Sequence, residues 1–78
     1  MIVAGFDRIT VNPEQMGGQA CVRNMRLTVR RVLEAMAVYP NRADLFREYP
    51  ELEEDDVKQV LDFAAANLAD AAVDVRVT

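Results

Sequence analysis

Apolar residues recur at helical spacing through the middle and the C-terminal part of this 78-residue chain. Between residues 54 and 68 they follow the i, i+3, i+4, i+7 spacing of a helix with one buried face. The positions are Val57, Val60, Leu61, Ala64, Ala65 and Leu68. Two further stripes of this kind precede it. The pattern therefore predicts three helices, at about 29–38, 42–49 and 54–68.

Residues at the helix ends agree with these boundaries. Thr28 is a favoured N-cap for the first helix, and Pro40 ends that helix because the residue before a proline resists the helical conformation. Asn41 is suited to cap the second helix. The third begins after Glu53, so the acidic run 53–56 lies at the positive end of the helix dipole. Each predicted helix therefore has its own start signal.

The segment upstream of the helices has the composition of short strands and turns. Residues 9–11 suit a strand, and Asn12 with the following proline suits the turn after it. Residues 20–23 alternate between apolar and polar types, as a second strand would, and Asn24 tolerates a left-handed turn. The sequence predicts a small β element at about 8–27.

Together these elements predict a mainly α fold, a three-helix, helix-turn-helix-like domain preceded by a short N-terminal β element. A chain of this length forms a single domain, here residues 1–78, with a C-terminal tail at 70–78. Within the tail, valines alternate with charged residues at 73–77, which suits an edge strand or a segment ordered by a partner. The predicted core comprises Val29, Val32, Leu33, Met36, Leu45, Phe46, Tyr49, Leu52, Val57, Val60, Leu61 and Ala64.

The composition argues against catalysis. The chain has no histidine, no serine and one cysteine, Cys21, so a Ser–His triad and a four-ligand zinc site are excluded. No glycine-rich phosphate loop is present. We therefore expect a protein that is not an enzyme and that has no cofactor and no metal. A lone cysteine cannot form an internal disulfide, which fits the reducing cytoplasm. We interpret Cys21 as a small buried residue. No apolar run reaches the roughly 20 residues of a membrane span.

Charge is distributed unevenly. Residues 1–50 hold seven arginines against five acids, a net charge of +2, whereas residues 51–78 hold eight acids against two basic residues, a net charge of −6. One basic cluster stands out, formed by Arg23, Arg26, Arg30 and Arg31. These residues suit an acidic protein surface or a phosphate backbone, and equally a solvated face whose stems cover apolar surface.

Two other features have competing interpretations. The acidic run 53–56 can be a magnesium site or simple helix N-terminal charge. We favour the second, because consecutive helical positions point in different directions. Methionines can form an adaptable binding surface. Met36 is predicted to lie in the core, and Met25, at a turn, is the one we expect to be exposed.

Several runs of the chain resemble the family called domain of unknown function 433. They are ITVNP at 9–13, MGGQACVR at 16–23, RLTVRRVL at 26–33 and LFREYPELEEDDV at 45–57. The chain departs from the family pattern at Gln19-Ala20, where lysine-proline is common, and at Asn24-Met25, where glycine-threonine is common. The resemblance implies a compact helix-turn-helix-like domain related to VapB-type antitoxins, which are often encoded beside a PIN-like ribonuclease toxin.

The resemblance and the charge pattern lead to one functional hypothesis. We expect a cytoplasmic, non-catalytic antitoxin-like homodimer that binds and neutralises a PIN-like toxin through Arg23, Arg26, Arg30 and Arg31. One alternative is a dimeric DNA-binding regulator, which the acidic third helix disfavours because Lys58 is its single basic residue. A second alternative is an adaptor subunit of a larger assembly. A membrane partner is not expected.

Overall fold

The computed structural model describes residues 1–68, so the predicted tail at 70–78 and its alternating valines lie outside the described residues. The elements follow one another in a simple order. They are β1 (Ile2–Val3), β2 (Phe6–Val11), a 3-10 turn (Met16–Gly18), β3 (Ala20–Val22), α1 (Val29–Val38), α2 (Arg42–Glu48) and α3 (Glu54–Asn67).

The strands form one antiparallel sheet in the order β1-β2-β3. In the β2–β3 pair, Ile9 lies opposite Val22 and Thr10 opposite Cys21. A tight turn joins β1 to β2 and contains Gly5, whose φ of 85° suits a residue without a side chain. The protein is therefore a small mixed α/β domain, and the prediction of a mainly α, helix-turn-helix-like fold is wrong. That prediction treated the strands as an appendage, whereas the sheet is a packed layer of the domain.

Helix boundaries agree with the predicted ones to within one residue, and the caps explain why. The Thr28 hydroxyl accepts a hydrogen bond from the backbone N–H of Arg31 at 3.0 Å. The side-chain Oδ1 of Asn41 accepts a hydrogen bond from the backbone N–H of Ala43 at 2.8 Å. Asn24 has a φ of 58°, so the predicted left-handed turn is also confirmed. Each of these interactions is local, and local signals are the ones a sequence carries directly.

The hydrophobic core lies between the sheet and the helices, where α3 packs on β2 and α1 packs on both β3 and α3. Its fully buried side chains come from both layers. The apolar ones are Ile9, Val22, Val32, Leu45, Val57 and Val60. The predicted core omitted Ile9, Val22 and Leu27, because it drew only on the helices and the turn between the second and the third, and it also omitted Ala35 of α1.

Leu61 was predicted to be buried, and this prediction is wrong. Leu61 is 42% exposed, although it lies one helical turn after the buried Val57. Truncation of Leu61 to alanine would therefore not create the buried cavity that costs about 2–5 kcal/mol. Leu33 and Met36 are partly buried and pack against the core from α1.

Candidate functional site

Two arginines face each other across the sheet. Arg23 directly follows β3, next to the Ile9–Val22 pair, and its backbone N–H donates to the carbonyl of Arg8 at 2.8 Å, so the two arginines are opposed. Like charges at opposed positions destabilise an antiparallel pair. Both guanidinium groups extend to the start of α3, where they meet the carboxylate of Asp56, which has no exposed surface.

Asp56 binds both arginines at hydrogen-bond distance. Arg23 approaches with two nitrogens, Nε at 2.9 Å from Oδ1 and Nη2 at 2.8 Å from Oδ2. Arg8 Nη1 lies 2.9 Å from Oδ1 of Asp56 and 2.8 Å from Oε1 of Glu53. The backbone N–H of Glu53 donates to Asp56 Oδ2 at 2.9 Å. We refer to Arg8, Arg23, Glu53 and Asp56 as the ion-pair cluster.

These contacts set the ionisation of Asp56. Burial acts to raise the pKa of its carboxyl group, while hydrogen bonds from Arg23, Arg8 and the Glu53 backbone N–H lower it. The hydrogen bonds prevail, so the pKa of Asp56 is held below its ordinary value. The four side chains of the ion-pair cluster carry two charges of each sign. Asp56 is therefore a buried carboxylate whose charge is matched by the sheet.

Further along α3, polar and aromatic contacts continue the same interface. Gln59 Oε1 accepts the backbone N–H of Arg8 at 2.9 Å, and the Gln59 amide donates to the carboxylate of Asp7. The rings of Phe6 and Phe63 meet edge to face with centroids 5.3 Å apart. Helix α3 is thus joined to β2 from its first turn as far as Phe63.

This arrangement separates Arg23 from the other predicted site residues. Besides binding Asp56, Arg23 Nη2 donates to the backbone carbonyl of Glu51 at 2.6 Å, in the turn between α2 and α3. Its backbone has a φ of 44°, a conformation that is uncommon outside glycine and asparagine. Arg23 therefore connects the sheet, the α2–α3 turn and the start of α3.

The other three predicted arginines lie together. Arg26, Arg30 and Arg31 line an open groove of about 740 Å³, which we call the basic groove. Arg30 makes a contact of 4.0 Å with Glu34, and its side chain is 82% exposed, so this pair is weak. Within residues 1–68, neither Arg26 nor Arg31 forms a salt bridge. The basic groove thus presents guanidinium groups that the described fold does not engage strongly.

Apolar side chains share the basic groove with the arginines. Met16, Met25, Leu27 and Tyr49 line it, together with Glu34, Glu51 and neighbouring polar residues. Met25 is half-buried and packs partly against the core, so it is less exposed than its position at a turn predicted. Periodicity did not indicate that Tyr49 belongs to this groove, because its contribution depends on how the α2–α3 turn is placed.

The remaining sequence features have structural explanations. Cys21 is buried, as predicted, and burial raises the pKa of its thiol although nearby Arg26 acts to lower it. Thr10 and Cys21 lie on paired strands. Across residues 1–68, no group of three or more side chains has the types and placement to hold a metal ion. None of the helices in that same stretch is long and apolar enough to cross a membrane.

Comparison with known proteins places this domain in a family. A family model described as "Protein of unknown function (DUF433)" matches residues 9–64, a range that contains the basic groove arginines and all of the ion-pair cluster except Arg8. Neither the curated proteins nor the solved structures provide a match. Because the matched range covers most of the chain, the protein belongs to the DUF433 family.

Proposed function

We propose that this protein is a non-catalytic, antitoxin-like binding protein that neutralises a PIN-like ribonuclease toxin by contact through the basic groove. The observation that carries the proposal is the different use of the arginines. Arg8 and Arg23 are bound to buried or neighbouring carboxylates, whereas Arg26, Arg30 and Arg31 are gathered at one open surface. That surface is available to an acidic partner.

The proposed inhibition has a direct chemical route. A ribonuclease of the PIN type collects carboxylates around a metal ion, and guanidinium groups bind carboxylates through two parallel hydrogen bonds. An arginine from the basic groove that enters such a pocket would pair with the carboxylates and crowd the cation. Inhibition would then require binding alone, in keeping with a chain that has no histidine and no serine.

The start of α3 favours a protein partner over duplex DNA. Its first turn is bound to the sheet through Arg8 and Arg23, so it is not available to enter a major groove. Two of its carboxylates, Glu54 and Asp55, remain largely exposed and would repel phosphates. DNA binding is therefore the rival outcome of the experiments below, and a role as an adaptor subunit is another.

A single variant tests the proposal. The PIN-like protein encoded nearest to this gene would be purified, and its affinity for the native chain measured by calorimetry together with ribonuclease inhibition. Loss of one arginine from a desolvated charge pair costs about 2–5 kcal/mol in binding. Arg26→Ala should therefore weaken binding at least about tenfold, with parallel loss of inhibition and a thermal midpoint within a few degrees of native.

Arg47→Ala is the matched control, because Arg47 lies on α2, outside the basic groove, and pairs only with Asp44 in the described part of the chain. It should leave affinity and inhibition unchanged. Equal losses from both variants would indicate nonspecific charge attraction and contradict the proposal. So would a large fall in stability of Arg26→Ala with unchanged affinity, since Arg26 would then be a structural residue.

The DNA alternative needs its own titration. Duplex DNA is added at low salt to the native chain and to Glu54→Lys with Asp55→Lys, two exposed positions at the start of α3. On our proposal the native chain binds weakly, and charge reversal leaves binding unchanged or improves it. Tight, steeply salt-dependent binding by the native chain that the double variant loses would favour a DNA-binding regulator.

A further inference from the structure

The basic groove combines charge with apolar surface, and this combination restricts its ligand. Resting on the proposed function, we infer that the partner enters the groove with an acidic peptide segment that carries a bulky apolar side chain. The carboxylates pair with Arg26, Arg30 and Arg31, and the apolar side chain lies on the surface formed by Met25 and Tyr49. The inference names the chemistry of the segment that the toxin presents.

The charged half of the inference rests on the arrangement of the arginines. Arg30 and Arg31 are consecutive residues of α1, and Arg26 lies on the connection that precedes this helix. Consecutive helical positions point in different directions, so the side chains of Arg30 and Arg31 diverge from each other, and Arg26 approaches the groove from a separate segment. A single small anion would meet one of them at a time, whereas a peptide with several carboxylates can pair with more than one.

The apolar half rests on Met16, Met25 and Tyr49. Each is half-buried, so part of its side chain remains accessible at the groove. Methionine adapts its shape to a bound apolar group, and tyrosine offers a rigid face of large contact area. A ligand that carries only charged groups would leave this apolar surface exposed to water. An apolar side chain placed there removes it from water and adds affinity.

Carboxylates within the groove discriminate between ligand classes. Glu34 and Glu51 line the same surface as the arginines. A nucleic acid carries a regular run of phosphates, some of which would approach these two carboxylates. A peptide can place its acidic residues opposite the arginines and neutral ones opposite the glutamates. Charge complementarity therefore favours an acidic peptide with mixed composition over a polyphosphate backbone.

The groove wall is held in place before any ligand arrives. Arg23 donates to the carbonyl of Glu51 at 2.6 Å and binds Asp56, which joins the α2–α3 turn to the sheet. A site that is already formed loses less conformational freedom on binding. Arg23 is thus a positioning residue for the basic groove, and contact with the ligand is left to Arg26, Arg30 and Arg31.

A peptide titration tests this inference on the full chain. The probe is the fluorescein-labelled peptide Asp-Glu-Phe-Leu-Glu-Asp, and its matched control replaces Phe-Leu by Gly-Ser. Binding is followed by fluorescence anisotropy and by backbone NMR shifts of the isotope-labelled protein. We expect the apolar peptide to bind at least about fivefold more tightly than its control, a difference of about 1 kcal/mol, with shifts centred on Arg26, Arg30 and Met25.

Variants separate the two halves of the site. Arg26→Ala should weaken the binding of both peptides. Met25→Ala should weaken the binding of the apolar peptide only, and Met25→Leu should restore that binding. Thermal unfolding of each variant confirms that it is folded. Equal binding of both peptides to the native chain would overturn the apolar half. Tighter, saturable binding of a single-stranded RNA oligonucleotide at the same resonances would overturn the choice of an acidic peptide.

Failure of this inference and failure of the proposed function give different experimental results. Toxin binding that depends on Arg26, with no response to either peptide, would sink the inference and leave the antitoxin proposal intact. Peptide binding without any affinity for the PIN-like protein would contradict the antitoxin proposal and leave the peptide preference of the groove intact, because the groove would then bind another acidic partner.

Discussion

The starts of α1 and α3 place opposite charges at equivalent positions of a helix. In its first turn α3 carries Glu54, Asp55 and Asp56, and it receives arginines from the sheet. In contrast, α1 carries no acidic residue in its first turn, where Arg30 and Arg31 lie instead. The Thr28 hydroxyl caps α1, and at the start of α3 the Asp56 carboxylate accepts the Glu53 backbone N–H, so the difference between the helices lies in how each uses its charges.

The comparison distinguishes charges that stabilise the fold from charges that are available to a partner. Acidic side chains at a helix N-terminus are favourable, and basic ones are unfavourable. The start of α3 follows this rule, and the charge of its buried Asp56 is neutralised inside the domain by Arg8 and Arg23. The start of α1 breaks the rule, and its arginines line the basic groove. Functional sites commonly retain arrangements that cost stability, which is how we interpret α1.

Asp56→Ala is the most severe test of the stabilising role of the α3 start. It leaves Arg8 and Arg23 opposed on the sheet without their shared carboxylate. Loss of one partner from a buried pair costs about 3–5 kcal/mol, and we expect the lower end because Arg8 retains Glu53. Urea unfolding measures the change. Asp55→Ala, one residue away and exposed, should cost less than about 1 kcal/mol. Equal losses would contradict the assignment.

Arg23→Ala and Arg26→Ala compare the two helix starts directly. Arg23 binds Asp56 and the Glu51 carbonyl but is about a third exposed, so its truncation should cost about 1–2 kcal/mol of stability. Arg26→Ala should leave the urea midpoint nearly unchanged and should instead lower the affinity for the partner. If both variants lose stability alike, the division between structural and binding arginines fails.

Acid should weaken the α3 start selectively. The pKa of Asp56 is lower in the folded protein than in the unfolded chain, so its contribution is complete above the unfolded pKa and is lost as the pH falls through the folded one. We therefore expect stability to fall below about pH 4. Urea midpoints from about pH 7 to about pH 3 measure this dependence. Asp56→Asn should be less stable at neutral pH and should show a flatter profile. A parallel profile would assign the acid sensitivity to other carboxylates.

These tests also show which parts of the molecule the sequence could predict. The helices and the caps Thr28 and Asn41 were predicted because capping acts within a few residues. Strand β1 was missed because it is only two residues long and is defined by pairing with β2. Pairing of Arg8 with Asp56 was missed because 48 positions separate them. One signal was present: Asp56 shares a helical face with Val60 and Phe63, so it was placed to face inward.

The candidate site was predicted in part for the same reason. Arg26, Arg30 and Arg31 are close in sequence, and the structure brings them to one groove. Arg23 was grouped with them by sequence proximity, but it lies in the turn that follows β3, and its side chain extends to Asp56 of α3. Tyr49 and Glu51 reach the groove from the α2–α3 turn, and no pattern within either segment indicates that contact.

Arg31→Glu gives the smallest effect and tests the α1 start most specifically. Residue 31 is the third position of α1, and its backbone N–H is bound by the Thr28 hydroxyl. A glutamate there can accept a hydrogen bond from the Thr28 backbone N–H and complete a capping box, while replacing an unfavourable charge with a favourable one. We expect a gain of about 0.3–1 kcal/mol in the free energy of unfolding, measured by urea denaturation, together with weaker toxin binding measured by calorimetry. Arg31→Gln is the control, because it keeps the capping geometry and removes the charge without reversing it, so its effects should be intermediate.

A loss of stability in Arg31→Glu would show that Arg31 stabilises the fold, and unchanged toxin binding would remove it from the basic groove's contact surface. Opposite changes in stability and affinity would instead identify the α1 start as a place where this domain gives up stability in order to bind.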